Sequence, residues 1–90
     1  MKAKKGFRLR ELGNEFILVG ESVEQINFNK MITMNETAAY LWRNIVNLES
    51  FSPKTLCDLL TAEYEVDDEL AMKDAELTAK TWLEAGIVEE

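Results

Sequence analysis

The sequence contains no histidine and only one cysteine, Cys57. Without histidine the chain lacks the base of a Cys–His or Ser–His nucleophile pair, and it lacks an imidazole ligand for a metal ion. A single cysteine cannot form an internal disulfide, and it supplies neither a zinc motif nor a redox pair. Because Cys57 lies beside leucines at helical spacing, we expect a buried core thiol rather than a nucleophile.

Glycines and long apolar runs are also scarce. The four glycines are scattered, so they form no glycine-rich phosphate loop. The best apolar run covers residues 16–19, far less than the roughly 20 residues of a membrane helix. No apolar stretch follows the basic N-terminal residues, which argues against a secretory signal. We therefore expect a cytoplasmic protein with no membrane partner and with Cys57 reduced.

Carboxylates are plentiful, but their pattern does not indicate catalysis. Those between residues 63 and 69 lie at the start of a predicted helix, where acidic side chains are favoured by the helix dipole. A catalytic pair would need a pocket that a chain of 90 residues can hardly build. The sequence therefore predicts that the protein is not an enzyme and that it uses no cofactor or metal.

The net charge of −7 is unevenly distributed. The first ten residues contain five lysines or arginines and no acidic residue, so the remaining 80 residues carry a net charge of −12. An acidic body repels phosphate backbones, and we therefore expect no nucleic-acid partner. The basic arm is either a tether for an acidic partner or a solvated terminus.

Ninety residues, 47% of them hydrophobic, suit one globular domain covering residues 1–90. Its organising stretch is residues 31–42, MITMNETAAYLW, where a short strand runs directly into a helix. Asn35 lies at the junction, and its side-chain oxygen can cap the first helical turn. The apolar face that follows has helical spacing and consists of Ala38, Leu41, Trp42 and Ile45.

The residues before this junction predict strands. Residues 7–12 and 15–20 read as a hairpin, because Gly13 and Asn14 form a two-residue turn signal between them. The third strand is residues 31–34. Residues 26–28 alternate again and are compatible with a further short ribbon.

The residues after the junction predict three helices. The first runs from Glu36 to about Asn47. The second begins after an N-cap at Ser52, with Pro53 at the first helical position, where its missing N–H costs nothing. Its buried stripe is predicted to be Leu56, Leu59 and Leu60.

The third helix is predicted from Asp67 to about Ala85, with Gly86 as its left-handed cap, after which Ile87 and Val88 return to the core. Its weakly polar and apolar residues form two stripes rather than one. The first stripe is Ala71, Ala75, Thr78 and Trp82, and the second is Leu70, Leu77 and Thr81. Either the helix is packed between two neighbours, or the second stripe lines an open groove.

Six features in chain order are GFRLREL, EFILVG, MNETAAYLW, YEVDD, Asp74 and the run Ala85-Gly86-Ile87. Taken together, they resemble the PqqD family of small peptide-binding proteins, also called RiPP recognition elements. The MNETAAYLW junction is the most specific of these segments. The resemblance covers essentially the whole chain.

The resemblance implies an α+β fold, a three-stranded antiparallel sheet followed by three helices and similar to a winged helix. It also implies that the protein binds the leader segment of a ribosomally made precursor peptide. Family members present that peptide to a modifying enzyme, typically a radical SAM enzyme, as in pyrroloquinoline quinone biosynthesis. The peptide adds as a strand to the third strand and rests against the third helix, so main-chain bonds supply affinity and side-chain pockets supply specificity.

Transferred to this sequence, the resemblance places the peptide site on the third strand and the third helix. The strand residues are Lys30, Met31, Ile32, Thr33 and Met34, and the helix residues are Leu70, Leu77 and Thr81, with Lys73 and Lys80 along the rim. Strand alternation sets Ile32 and Met34 against Met31 and Thr33, so one of these pairs belongs to the core. The chain departs from the family pattern at Ala75 and Thr78, where members tend to carry larger apolar residues.

Two other functions are compatible with the predicted fold. A winged-helix DNA-binding protein would need a basic recognition helix, but the third helix carries six acidic residues against Lys73 and Lys80. A general interaction domain would pair the same strand edge with a second copy of the chain and form a homodimer.

Overall fold

The structure is a computed structural model, and it describes residues 1–20 and 31–90. The strands are β1 (Lys2–Ala3), β2 (Phe7–Leu12), β3 (Glu15–Gly20), β4 (Met31–Met34) and β5 (Val88–Glu89). The helices are α1 (Glu36–Ile45), α2 (Pro53–Glu63) and α3 (Asp68–Ala85). The predicted ribbon at residues 26–28 and the predicted site residue Lys30 lie outside the described residues.

β2, β3 and β4 form an antiparallel sheet in that order. Leu12 pairs with Glu15 across the two-residue loop, as the turn signal predicts. Gly13 has φ +64°, a left-handed conformation that glycine enters without a steric penalty. The α+β architecture, a three-stranded antiparallel sheet with three helices, is therefore confirmed.

One face of this sheet packs against the helices. Leu18 and Met34 are buried on that face, and Phe16 and Ile32 are half-buried beside them. Thr33 is exposed on the opposite face. Of the two alternating pairs on β4, the pair that belongs to the core is therefore Ile32 and Met34.

α1 begins where it is predicted to begin, because Asn35 Oδ1 accepts a hydrogen bond from the Ala38 amide at 2.8 Å. It ends at Ile45, two residues before the predicted end. The chain closes there with a tighter bond, in which the Leu48 amide donates to the Ile45 carbonyl at 3.1 Å. None of the helices in the described ranges is long and apolar enough to cross a bilayer.

α2 begins at Pro53 after the N-cap Ser52, as predicted. Leu56 and Leu60 are buried together with Cys57, which confirms the core thiol, whereas Leu59 is only half-buried. The Tyr40 hydroxyl of α1 donates to the Leu59 carbonyl at 2.9 Å, and burial raises the pKa of Tyr40 above its ordinary value.

α3 begins one residue later than predicted. Asp67 is its N-cap, with a side-chain oxygen that accepts from the Glu69 amide at 3.4 Å. The helix ends at the predicted cap, Gly86, which has φ +79°. Trp82 of α3 packs edge-on against Trp42 of α1, with ring centroids 5.4 Å apart, so this pair joins two helices at the centre of the core.

The two termini are joined by a ladder that the sequence did not predict. Lys2–Ala3 pairs antiparallel with Val88–Glu89, and the Lys4 amide donates to the Ile87 carbonyl at 3.0 Å. Ile87 and Val88 are buried, which confirms their return to the core. A solvated terminus is therefore the wrong interpretation of residues 2–3, because long-range pairing takes them into the fold.

Candidate functional site

β4 lies at one edge of the three-stranded sheet β2-β3-β4 formed by the described residues. The direction of its peptide groups follows from the strand register. Leu12 and Glu15 flank a two-residue loop, and such a pair exchanges both of its hydrogen bonds. The direction of the peptide groups alternates along β3, so those of Phe16 and Leu18 point toward β4.

The partners of Phe16 and Leu18 on β4 are Met34 and Ile32. The main-chain groups of Met34 and Ile32 therefore face β3, while those of Thr33 face away from it. The Thr33 side chain is exposed as well. Within the part of the chain that the structure describes, Thr33 thus offers an outward-facing N–H and C=O to an added strand.

α3 carries an exposed apolar face on its second stripe. Leu70 is 51% exposed and Leu77 is 64% exposed, and Thr81 is exposed too. The first stripe is buried, although Ala79 is more deeply buried than the predicted Thr78. Among the described residues no second neighbour covers Leu70 and Leu77, which favours an open groove over packing for this stripe.

A cleft of about 310 Å³ lies between Asn35, the residue after β4, and this helix. Its lining comes from the start of α1, the end of α2 and the middle of α3. The lining residues are Asn35, Thr37, Ala38, Leu41, Leu60, Asp74, Leu77 and Thr78. Asn35 directly follows β4, so the cleft brings the residue next to the strand edge together with Leu77.

Positions within α3 decide which side chains face this cleft. Each residue turns the helix by about 100°, so Asp74 and Thr78 lie on one side of Leu77 and Lys73 and Lys80 on the other. Asp74 and Thr78 line the cleft, whereas the two lysines are exposed on the far side of the leucine.

A larger cleft, of about 1070 Å³, lies at the N-terminal arm. Lys2, Lys4 and Lys5 contribute to its lining, together with Phe7 and Leu48. The Lys2 ammonium lies 4.0 Å from a Glu89 carboxylate oxygen. This cleft contains none of the predicted peptide-site residues, and the tethering of an acidic partner by the arm stays a prediction.

Comparison with known protein families assigns this chain to one of them. The chain matches the family of coenzyme PQQ synthesis protein D (PqqD) over residues 10–88. It belongs to the PqqD family. The matched segment contains β3, β4 and all three helices, and thus the candidate strand edge, the exposed face of α3 and the cleft.

Two solved structures share the fold of this PqqD-family chain. One is TbiB1 in complex with the TbiA(beta) leader peptide, with a TM-score of 0.75, 17% identity and coverage of 99% of this chain and 95% of that one. The other is lasso peptide synthetase B1 complexed with the leader peptide, with a TM-score of 0.70, 20% identity and coverage of 99% and 96%. At these identities the likeness shows the fold alone. No curated protein matches the chain closely.

The nine predicted site residues of this PqqD-family chain that the structure describes fall into three groups. Thr33 is at the outward strand edge, and the exposed helix residues are Leu70, Lys73, Leu77, Lys80 and Thr81. Ile32 and Met34 contribute their side chains to the core instead. The main chain of Met31 belongs to β4 and faces outward like that of Thr33, by the same alternation.

The prediction missed the polar lining of the cleft, above all Asp74 and Thr78. In the sequence, only the family resemblance points to Asp74. A helical wheel centred on Leu77 would have placed both residues on one flank of the apolar stripe. That this flank faces α1 depends on tertiary packing, which the wheel does not show.

Proposed function

We propose that this PqqD-family protein binds the leader segment of a ribosomally made precursor peptide and presents it to a modifying enzyme. The peptide adds as a strand along the outer edge of β4 and rests against the exposed face of α3. One observation carries the proposal: Asn35, two residues after the outward-facing Thr33, lines the same cleft as Leu77. Two proteins of the same fold are known in complex with leader peptides, which supports it.

The expected binding free energies indicate that the strand edge and the helix face must both contact the peptide. Only Met31 and Thr33 of the four β4 residues direct their peptide groups outward, which allows about four main-chain hydrogen bonds. At a net 0.5–1.5 kcal/mol each, these bonds give roughly 2–6 kcal/mol. A micromolar complex needs about 8 kcal/mol after the cost of ordering the peptide. Burial of exposed leucine surface, at about 25 cal/mol per Å², supplies the remainder.

We propose that the protein itself is not catalytic and that the covalent chemistry belongs to its enzyme partner. A chain without histidine and with one buried cysteine offers few groups for nucleophilic or acid–base catalysis. In the family that this chain belongs to, the partner is typically a radical SAM enzyme, and we propose the same class here. Because precursor peptides are made by ribosomes, we place the complex in the cytoplasm.

The test is a titration of the leader peptide from the precursor encoded beside this protein. Thr33→Pro removes the outward N–H, and proline is tolerated at a strand edge where that group faces solvent. We expect Thr33→Pro to stay folded and to weaken binding at least tenfold. The matched control, Thr33→Val, keeps the N–H and should bind like the parent.

A second pair of variants tests the helix face. Leu77→Glu places a charge in the exposed apolar wall and should weaken binding at least tenfold. Ala62→Glu adds the same charge at an exposed position of α2, outside the proposed site, and should leave binding unchanged. If folded Thr33→Pro and Leu77→Glu proteins both bind like the parent, the peptide site lies elsewhere.

Ile32→Pro separates damage to the sheet from loss of the edge. The Ile32 N–H faces β3, so its removal breaks a bond within the sheet rather than one to the peptide. We therefore expect Ile32→Pro to lower the free energy of unfolding more than Thr33→Pro does. A folded Ile32→Pro protein that loses binding while Thr33→Pro keeps it would reverse the proposed register.

A further inference from the structure

The cleft beside Leu77 has an apolar floor and one charged wall. Leu41 and Leu60 form part of the floor and are 1% and 5% exposed. Of the eight described residues that line the cleft, Asp74 alone carries a charge. A volume of about 310 Å³ is at the lower limit for small-molecule pockets, which suits a long side chain better than an organic cofactor.

The Asp74 carboxylate is available to a ligand. It takes part in none of the ion pairs or side-chain hydrogen bonds among the residues that the structure describes. The nearest cations along its own helix, Lys73 and Lys80, lie on the other side of Leu77. Asn35 cannot serve as a cationic partner, and its side-chain oxygen is already occupied by the α1 cap.

The acidic charge of residues 11–90 also favours a cationic ligand. Residues 11–90 carry a net charge of −12, and such a body attracts cationic segments at long range. Lysine and arginine side chains lay their methylene stems on apolar surface and keep the charged group at the polar end. A floor of leucine and alanine with a carboxylate at its wall is complementary to that shape and charge.

We propose that Asp74 is a specificity-determining residue and that the cleft accepts a lysine or arginine side chain of the bound peptide. This inference rests on the proposed function, since the basic side chain belongs to a leader strand added along β4. The stem of that side chain lies against Leu41 and Leu60, and its cation pairs with the Asp74 carboxylate. The proposal therefore names a chemical feature of the leader: a lysine or arginine in the segment that pairs with β4.

The first experiment needs no leader. Butylguanidinium, an analogue of the arginine side chain, is titrated into labelled protein, and amide shifts are followed by NMR. We expect shifts at Ala38 and Thr78, at least fivefold smaller with 1-pentanol and with the Asp74→Asn variant. Glu76→Gln, which removes a charge from another face of α3, should behave like the parent. Equal shifts in the parent and Asp74→Asn would overturn the assignment.

The second experiment uses the leader of the precursor encoded beside this protein, as a set of peptides in which each position in turn is glutamate. The parent should lose affinity for the peptide in which one particular basic residue is replaced by glutamate. The Asp74→Lys variant should bind that peptide at least fivefold more tightly than the parent does, and should show no such gain for the other peptides. Recovery at no position, or equally at all positions, would contradict the assignment. If butylguanidinium binds through Asp74 but no leader binds, the proposed function fails while the cation preference of the cleft stands.

Discussion

The two faces of α3 invert the usual relation between side-chain size and burial. The buried face consists largely of small residues, with Ala71 and Ala75 at 0% and Ala79 at 1% exposure. The outward face carries Leu70 and Leu77, which are more than half exposed. Two leucines exposed on one helical face, beside a cleft, form an apolar surface that the core does not use. Packing in the core explains the small face, and the proposed peptide binding would explain the large one.

The small face has a structural explanation. A helix lined by alanine can approach its neighbour closely, and α3 packs along α2. Trp82 supplies the bulk at the end of that face and contacts Trp42. The departure from the larger apolar residues of the family pattern at Ala75 therefore belongs to helix packing.

The largest expected effect is on the aromatic pair behind the small face. Trp42 is 2% exposed, and Trp42→Ala should cost about 3–5 kcal/mol of unfolding free energy, as large core truncations do. A small domain has little more stability than that, so the variant should be largely unfolded. Urea melts of the two proteins measure the difference. A loss below about 1 kcal/mol would show that Trp42 is not a core residue.

The next effect comes from enlarging the small face. Ala75→Leu puts a branched side chain where no space is left, and we expect a loss of about 1–3 kcal/mol. Glu76→Leu adds the same side chain at the neighbouring exposed position and should change stability by less than about 0.5 kcal/mol. Equal losses in both variants would remove the distinction between the two faces.

The exposed face should show the opposite behaviour. Leu77→Ala removes apolar surface that is already in water, so the free energy of unfolding should change by less than about 0.5 kcal/mol. Its affinity for the leader peptide should fall about three- to tenfold, because the lost surface is buried only in the complex. Calorimetric titration and urea melts of one preparation measure both quantities. A stability loss above about 1 kcal/mol would place Leu77 in the core.

The smallest expected signal is for DNA. α3 is acidic, so duplex binding at physiological salt should be undetectable. Weak binding at low salt would come from the basic arm, and because β1 and β2 belong to the fold, the exposed Lys4 and Lys5 are the residues to replace by glutamine. Fluorescence anisotropy with a labelled duplex measures this. Sequence-specific binding that survives both substitutions would favour the winged-helix DNA-binding alternative.

Local signals explain what the sequence predicted well. The hairpin follows from Gly13 and Asn14, and the starts of α1 and α2 follow from the caps at Asn35 and Ser52, since each signal acts over a few neighbouring residues. The boundaries of α1 and α3 were less accurate, because helix ends depend on the last hydrogen-bonded turn.

Long-range arrangements explain what the sequence did not predict. The β1–β5 ladder joins two-residue strands from opposite ends of the chain, and strands of that length show no periodicity. The outward direction of Thr33 follows from a register counted from the hairpin loop, and the position of Asp74 depends on the packing of α1 beside α3. Neither is encoded in the spacing of nearby residues.

The most direct test of strand addition is amide hydrogen exchange in β4 with and without the leader peptide. The Thr33 amide faces outward and should exchange at least tenfold more slowly when the peptide is saturating. The Ile32 amide already faces β3 and should change little. A saturating peptide that leaves Thr33 unprotected, or that protects Leu9 on the opposite edge strand instead, would contradict binding at β4.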